Sequence, residues 1–386
     1  MGNLFDFSTA SQIVFGNGAF AKTGQLVEGF GQKAFVVTGF RGTALDELRN
    51  FLAAKGITVM AFAVQGEPKV DTVIEGVQEA RAFHADMVLG LGGGSALDSA
   101  KAIAALMTNP GEPLDYLEVV GRNQPLVNRP APFVAIPTTA GTGSEVTRNA
   151  VLAVPEKKVK VSLRSSMMLA RIAIVDPELT YSLPEEITAS TGMDALTQVI
   201  EPYVSSRANW MTDLYCKEGI RRSARSLIQA YHHGDDRGAR EDLAFTSLMG
   251  GLALANAGLG AVHGFAGPIG GMYAAPHGAI CAALLPAVVE INARALAERE
   301  YSNPALTRYS EVAKIVLQRA DATIADLVNW LRTISSQMKI PGLKEYGITG
   351  DQLVPIVEKG MAASSMKANP IRLTEAELKE ILGLSL

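Results

Sequence analysis

Two histidines, His263 and His277, stand in a stretch without a single charged side chain. Residues 243–289 contain no Asp, Glu, Lys or Arg, although those four types make up 19% of the chain. An imidazole in such surroundings needs a partner, because an unpaired buried polar group costs roughly 1–3 kcal/mol. One divalent metal would serve both rings. Two separate core histidines, each bonded to a backbone carbonyl, would meet the same need. Upstream, Asp194 and Gln198 are one helical turn apart and share a face. An acid and an amide there could add two oxygen donors to the two imidazoles. The competing readings are an Asp194 that caps back to Thr191 and a Gln198 that is solvated. The other three histidines, His84, His232 and His233, lie in polar text and read as surface residues.

A second chemistry is written in two loops. Gly92-Gly93-Gly94-Ser95 follows an apolar run and leads into SALDSAKAIAALM. Glycines at a strand-to-helix turn let the backbone approach a ligand, and a helix N-terminus offers free N–H groups to phosphate. Ser95 as N-cap with Asp98 as its capping-box partner is the plainer reading. Further on, residues 138–145 (TTAGTGSE) offer hydroxyls and close backbone approach in one loop, which suits a sugar–phosphate chain.

The elements that must position these residues are of two kinds. Residues 33–38, 57–63 and 86–91 read as strands, separated by helical spacing at 43–55 and 70–83. This alternation predicts a parallel sheet covered by helices. Residues 133–137 and 172–175 add strands, and 151–154 with 159–163 form a hairpin in which Lys160 alternates with apolar residues. Strand signals stop after Asp176. Ser182, Pro184 and two acids mark a helix start, so the expected domains are 1–180, α/β, and 181–386, all-helical. Gly258, Gly260, Gly264, Pro268, Gly270, Gly271 and Pro276 should interrupt any long helix. They argue against a membrane span and for a buried core with a loop between the histidines.

Composition narrows the field. The 386 residues carry a net charge of −4 and are 48% apolar, so no basic footprint points to nucleic acid or an anionic membrane. Two cysteines, Cys216 and Cys281, suit a reducing compartment. No basic segment followed by an apolar one opens the chain, and Asp6 breaks the myristoylation pattern, so a cytoplasmic protein is expected.

Four segments, GGGSALDSAK (92–101), PTTAGTGSE (137–145), GMDALTQVIEPYVS (192–205) and HGFAGPIGGMYAAPHG (263–278), resemble the signatures of the iron-containing, or group III, alcohol dehydrogenases. The resemblance runs in order along nearly the whole chain. It implies a dinucleotide-binding α/β domain and an all-helical domain, the fold shared with dehydroquinate synthase, with the active site in the cleft between. It implies hydride transfer between NAD or NADP and a small alcohol or aldehyde. Metal ligation, with Fe2+ ahead of Zn2+, would fall on Asp194, His263 and His277, which would also be the catalytic centre. Gly93, Gly94 and Ser95 would hold the pyrophosphate. Thr138, Thr139, Thr142 and Lys160 would line the nucleotide path, with Asp98 in support. A homodimer or larger assembly is implied.

Three positions depart from the family pattern. Gln198 replaces a histidine ligand, which leaves the amide as a weak fourth donor. Gly267 replaces a further histidine. Gly39 ends the first strand where the family often has an Asp for the adenine ribose, and Arg41 follows within reach of a 2′-phosphate, so NADP should be accepted. Two relatives of the fold offer other readings: a metal-free reductase resembling the maleylacetate reductases, and a lyase resembling dehydroquinate synthase.

Overall fold

The computed structural model describes residues 4–39 and 42–386. The chain forms two compact units. One comprises Ser8–Thr139 and Gly143–Ser182, the other Ala140–Thr142, Leu183–Leu386 and the N-terminal segment through Phe7.

The first unit is α/β. Its strands are β1 (Gln12–Phe15), β2 (Lys33–Thr38), β3 (Thr58–Ala63), β4 (Met87–Gly92), β5 (Phe133–Pro137), β6 (Asn149–Val154), β7 (Val159–Arg164) and β8 (Ile172–Val175). Its helices are α1 (Thr23–Leu26), α2 (Thr43–Ala53), α3 (Val70–Phe83), α4 (Gly94–Leu106) and α5 (Pro113–Tyr116). Six strands make one sheet in the order β1-β8-β5-β4-β2-β3, and every pairing in it is parallel. Every residue of β4, β5 and β8 is buried. A parallel strand covered on both faces has no reason to alternate, so these strands read as continuous apolar runs. Val36, Leu48, Leu52, Leu89, Ile136 and Ile174 belong to the core on one side. The hairpin β6–β7 is a separate antiparallel pair, with Asn149 opposite Arg164.

The structure departs from expectation at one strand and two helix starts. Strand β1 was not foreseen: QIVF gains its conformation from register with β8, Gln12 opposite Ile172. Gly93, not Ser95, is the N-cap of α4, and no side chain caps that turn. Asp98 does not close a capping box; it accepts from Ser144 Oγ at 2.5 Å and from the Val151 amide at 2.9 Å. At the start of the helical unit Pro184, not Ser182, is the N-cap, although Glu185 and Glu186 do fill the first turn.

The second unit holds α6 (Glu185–Val204), α7 (Trp210–His232), α8 (Arg237–Ala257), α9 (Ala261–Met272), α10 (His277–Arg299), α11 (Pro304–Leu317), α12 (Ile324–Gln337), α13 (Leu353–Ala362) and α14 (Glu375–Leu384). Helix α6 is its centre. All its residues from Gly192 to Val204 are buried, and it packs against α7, α8 and α10. The N-terminal segment joins this unit through Phe5 on Trp210, ring centroids 5.5 Å apart, and Phe7 on Tyr215.

The charge-free stretch spans most of α8, all of α9 and half of α10. It breaks at Gly258, which has φ +73°, and again after Met272. It does not break at Gly264, Pro268, Gly270 or Gly271, contrary to expectation, because all four lie inside α9. Packing holds that helix in place of propensity: a Cβ on Gly264 would stand 2.8 Å from Met366 Cε. Helix α10 is long and apolar enough to cross a membrane, but 78% of its most apolar window is buried within the protein. Such a helix is also what a large soluble core contains.

Candidate functional site

Three helices of the second unit meet at one point. Helix α6 contributes Asp194, Gln198 and Glu201, all 2–4% exposed. Helix α9 contributes His263, 8% exposed. Helix α10 begins with His277 and carries Cys281 one turn later. His263 Nε2 lies 3.2 Å from Asp194 Oδ1, and His277 Nε2 lies 3.9 Å from the same oxygen. One donor atom from each of Asp194, His263, His277 and Cys281 lies within 4.8 Å of the other three.

The rings are aimed by their second nitrogens. Glu201 Oε2 sits 2.7 Å from His263 Nδ1, while Glu201 Oε1 accepts from the Val262 amide at 2.7 Å. A carboxylate at Nδ1 assigns the proton to that nitrogen and leaves the Nε2 lone pair facing Asp194. Burial disfavours charge on His263, but Cys281, Asp194 and Glu201 outweigh it and raise its pKa well above the ordinary value. Burial likewise opposes charge on His277, and Cys281 and Asp194 again raise the pKa. Burial pushes Asp194 up, yet the His263 bond, the charges of both rings and the Gln198 amide hold it below the usual carboxylate range. Gln198 donates Nε2 to the Gly141 carbonyl at 3.0 Å, and its Oε1 is buried without a partner. Two imidazole nitrogens, a carboxylate, a thiol and an orphaned amide oxygen form a donor set that fits a divalent transition metal.

The first unit offers a different surface. Gly92, at φ +156°, ends β4, and a Cβ there would stand 2.7 Å from Ala96 Cβ. A Cβ on Gly93 would meet Thr139 at 3.2 Å. Gly93, Gly94 and Ser95 are half-buried, and the first turn of α4 has no side-chain cap. An uncapped helix N-terminus behind a glycine turn fits a phosphate. Thr138, 8% exposed, and Thr139 follow β5. The loop after them is anchored by Lys101, 1% exposed. Its ammonium donates to Ser144 O at 2.8 Å, Ser144 Oγ at 3.1 Å, Thr147 Oγ1 at 2.9 Å and Asn149 O at 2.8 Å.

Thus the structure gathers Asp194, Gln198, His263 and His277 in one place, and Gly93, Gly94, Ser95, Thr138 and Thr139 lie within the other unit at the strand ends. Asp98 sits behind the turn as a clamp. Thr142 groups with the helical unit. Lys160 is nearly buried and paired with Glu67 at 3.0 Å. Gly39 is exposed, and Arg41 lies outside the described residues. His84, His232 and His233 are exposed, as their polar text implied. Met193 and Phe265 are fully buried core. Nothing lies within 4 Å of a Cβ built on Gly267. The sequence reading passed over Glu201, Cys281 and Lys101. For Glu201 the signal was spacing: with Asp194 and Gln198 it continues one helical face. Cys281 had the same signal, one turn after His277.

Comparison with known proteins covers the whole chain. Residues 10–177 match the family model "Iron-containing alcohol dehydrogenase", and residues 188–386 match "Fe-containing alcohol dehydrogenase family, C-terminal". Alcohol dehydrogenase 4 of Saccharomyces cerevisiae (strain YJM789) is 34% identical over 95% of each chain. The 1,3-propanediol dehydrogenase of Citrobacter freundii is 34% identical over 98% of each. A crystal structure of a 1,3-propanediol oxidoreductase superposes with a TM-score of 0.92 at 33% identity, covering 100% of both chains.

Proposed function

Because this chain belongs to the iron-containing alcohol dehydrogenase family, we propose that it interconverts a small alcohol and its aldehyde or ketone by hydride transfer to or from NAD or NADP, with a divalent metal held by Asp194, His263 and His277. The observation that carries the reading is the convergence of these donors from α6, α9 and α10 on one point, with both histidines drawn from a stretch free of charge. Held by these residues, a divalent metal would supply Lewis acidity toward the oxygen of the alcohol or aldehyde. Fe2+ is the proposed ion, ahead of Zn2+.

The chain's own residues supply the rest. Glu201 fixes the His263 tautomer and turns Nε2 toward the metal position. Gln198 offers its unpartnered Oε1 as a weak, neutral oxygen donor. His277, with its side chain 35% exposed, marks the side from which substrate approaches. Nothing lies within 4 Å of a Cβ on Gly267, one helical turn after His263, and that space would admit a bulkier substrate. In the α/β unit Gly93, Gly94 and Ser95 take the pyrophosphate on the α4 N-terminus, and Thr138, Thr139 and Lys160 line the nucleotide path. Asp98 holds the turn from behind through Ser144 and Val151. A cytoplasmic homodimer or larger assembly is part of the same proposal; both cysteines are free, as a reducing compartment requires.

The test is oxidation of a panel of short-chain alcohols by the metal-loaded protein with NAD or NADP, followed by absorbance of the reduced cofactor. Turnover with at least one alcohol is expected, and it should disappear when a chelator has removed the metal. Full activity in protein shown to be metal-free would favour the reductase without metal. No turnover by loaded protein in either direction would sink the reading.

Both cofactors should be used. A carboxylate at the end of β2 would bind the ribose 2′-OH and repel a 2′-phosphate, and Gly39 supplies none. The expected kcat/KM ratio between NAD and NADP is within ~100-fold, and Gly39→Asp should move it toward NAD. A wild-type preference for NAD beyond that range would contradict the assignment.

Glu201→Gln should keep the shape and remove the charge behind His263. Metal affinity is then expected to fall by about 10–100-fold, with KM for the dinucleotide unchanged. Equal metal affinity in the two proteins would mean that Glu201 only supports the backbone of α9.

A further inference from the structure

Cys281 lies on α10 one turn after His277 and is fully buried. Its Sγ is 3.8 Å from His277 Nε2 and 3.9 Å from His263 Nε2. A tetrahedral ion with bonds of about 2.0–2.1 Å to nitrogen and about 2.3 Å to sulfur holds N and S donors roughly 3.6 Å apart. The same geometry holds N and O donors roughly 3.3 Å apart. The two sulfur–nitrogen distances lie within about 0.3 Å of that spacing and the Asp194 separations of 3.2 and 3.9 Å within about 0.6 Å of theirs, so small side-chain movements bring the four donors into one coordination shell. Gln198, by contrast, has its amide nitrogen tied to the Gly141 carbonyl. It can give only a neutral oxygen, a weaker donor to a transition metal than a thiolate. The other cysteine, Cys216, lies on α7, where its charged neighbours are Asp213 and Arg308.

We infer that Cys281 Sγ, rather than the Gln198 amide, is the fourth strong donor to the metal. The inference rests on the metal site proposed above. On binding, the S–H bond gives its proton to solvent and a metal–sulfur bond forms; nothing is oxidised. The set becomes one carboxylate, two imidazoles and one thiolate. Such a set selects Fe2+, Co2+ or Zn2+ over Mg2+ and Mn2+.

Cobalt makes the sulfur visible. Chelator-treated full-length protein is titrated with Co2+ alone, and the spectrum is read in two regions. Bands in the visible report a bound ion of low coordination number, and an intense near-ultraviolet band reports sulfur-to-cobalt charge transfer. Wild-type protein should show both, saturating together. Cys281→Ser should lose the near-ultraviolet band, keep the visible ones and need at least ~10-fold more Co2+ for half-saturation. Cys281→Ala should do the same, and Cys216→Ser should match wild type. Gln198→Ala should keep the charge-transfer band and saturate within a few-fold of wild type. Visible bands without charge transfer in the wild type, or charge transfer that survives Cys281→Ser, would overturn the sulfur assignment and leave the metal site standing. No cobalt bands at all, in the wild type as in His277→Ala, would remove the metal site and this inference with it.

Discussion

Replacing His277 with alanine is expected to strip most of the metal from the protein and cut turnover by at least ~100-fold, the scale seen when a principal electrostatic stabiliser is lost. Of the proposed ligands His277 is the one to remove, because its loss disturbs least else. It is the first residue of α10, its side chain is 35% exposed, and a helix start accepts alanine readily. Removing His263 instead would leave Asp194 and Glu201 buried without the ring between them, and any loss of activity would be confounded with unfolding. For His277→Ala the thermal midpoint of chelator-treated protein should therefore stay close to wild type, while metal content after dialysis and kcat both fall. The KM for the dinucleotide should not move, since the ring belongs to the other unit. Unchanged kcat in a variant that holds no metal would place the chemistry elsewhere.

Lys101→Met should cost about 3–5 kcal/mol, the penalty for removing one partner from a buried charged network. The ammonium is the hub of four hydrogen bonds that fasten Ser144, Thr147 and Asn149 to α4. Methionine matches the stem and supplies none of them. Two carbonyls lose a donor, and Asp98, 3.7 Å away, and Glu145 lose a compensating charge. The thermal midpoint of the α/β unit should fall by roughly 10 °C. KM for the dinucleotide should rise, because Asp98 and Ser144 hold the turn through the same network.

The loss should also deepen with pH. Burial raises Glu145 to about 7, opposed by its own backbone amide and by Lys101. A carboxyl with a raised folded pKa loses stability as pH climbs from the unfolded value to the folded one. In wild type that loss is complete near 7. Without Lys101 the folded value moves higher, so the variant keeps losing stability above pH 7 while wild type does not. The check is the difference in midpoint at pH 7 and at pH 8.5. A constant difference would mean that Glu145 does not feel the lysine, and an unchanged midpoint would mean that the network is slack.

Much of the fold could be read before any coordinates. Strands β2 to β5 and helices α2 and α3 carry their period in local sequence, and their ends fall within a residue or two of expectation, set by Gly39, Gly56 and the glycines after Leu91. What escaped was non-local. QIVF offers only three apolar residues after polar text, and its conformation comes from the distant β8. Helix α9 carries four glycines and a proline and is held by neighbours such as Met366, which no window of sequence contains. The gathering of Asp194, His263 and His277 was legible because two histidines stood out against charge-free text. Glu201, Cys281 and Lys101 were not. A glutamate two turns along a helix, a cysteine among alanines and a lysine in SAKAIAAL each look ordinary. Only the packing shows that their polar atoms point inward.

Strand β1 also sets a timetable. Its partner in the sheet is β8, Gln12 opposite Ile172, with the rest of the α/β unit in between. A chain emerging from the ribosome at about 5–20 residues per second leaves QIVF waiting roughly 10–30 s before its partner is made. Strands β2 to β5 can pair in the meantime, but until β8 arrives the β5 edge stays open. Contacts so distant in sequence also slow the search itself. The newborn chain is therefore most exposed to edge-to-edge association before residue 175 appears, and a chaperone that shields the β5 edge during that interval should raise the yield of folded protein.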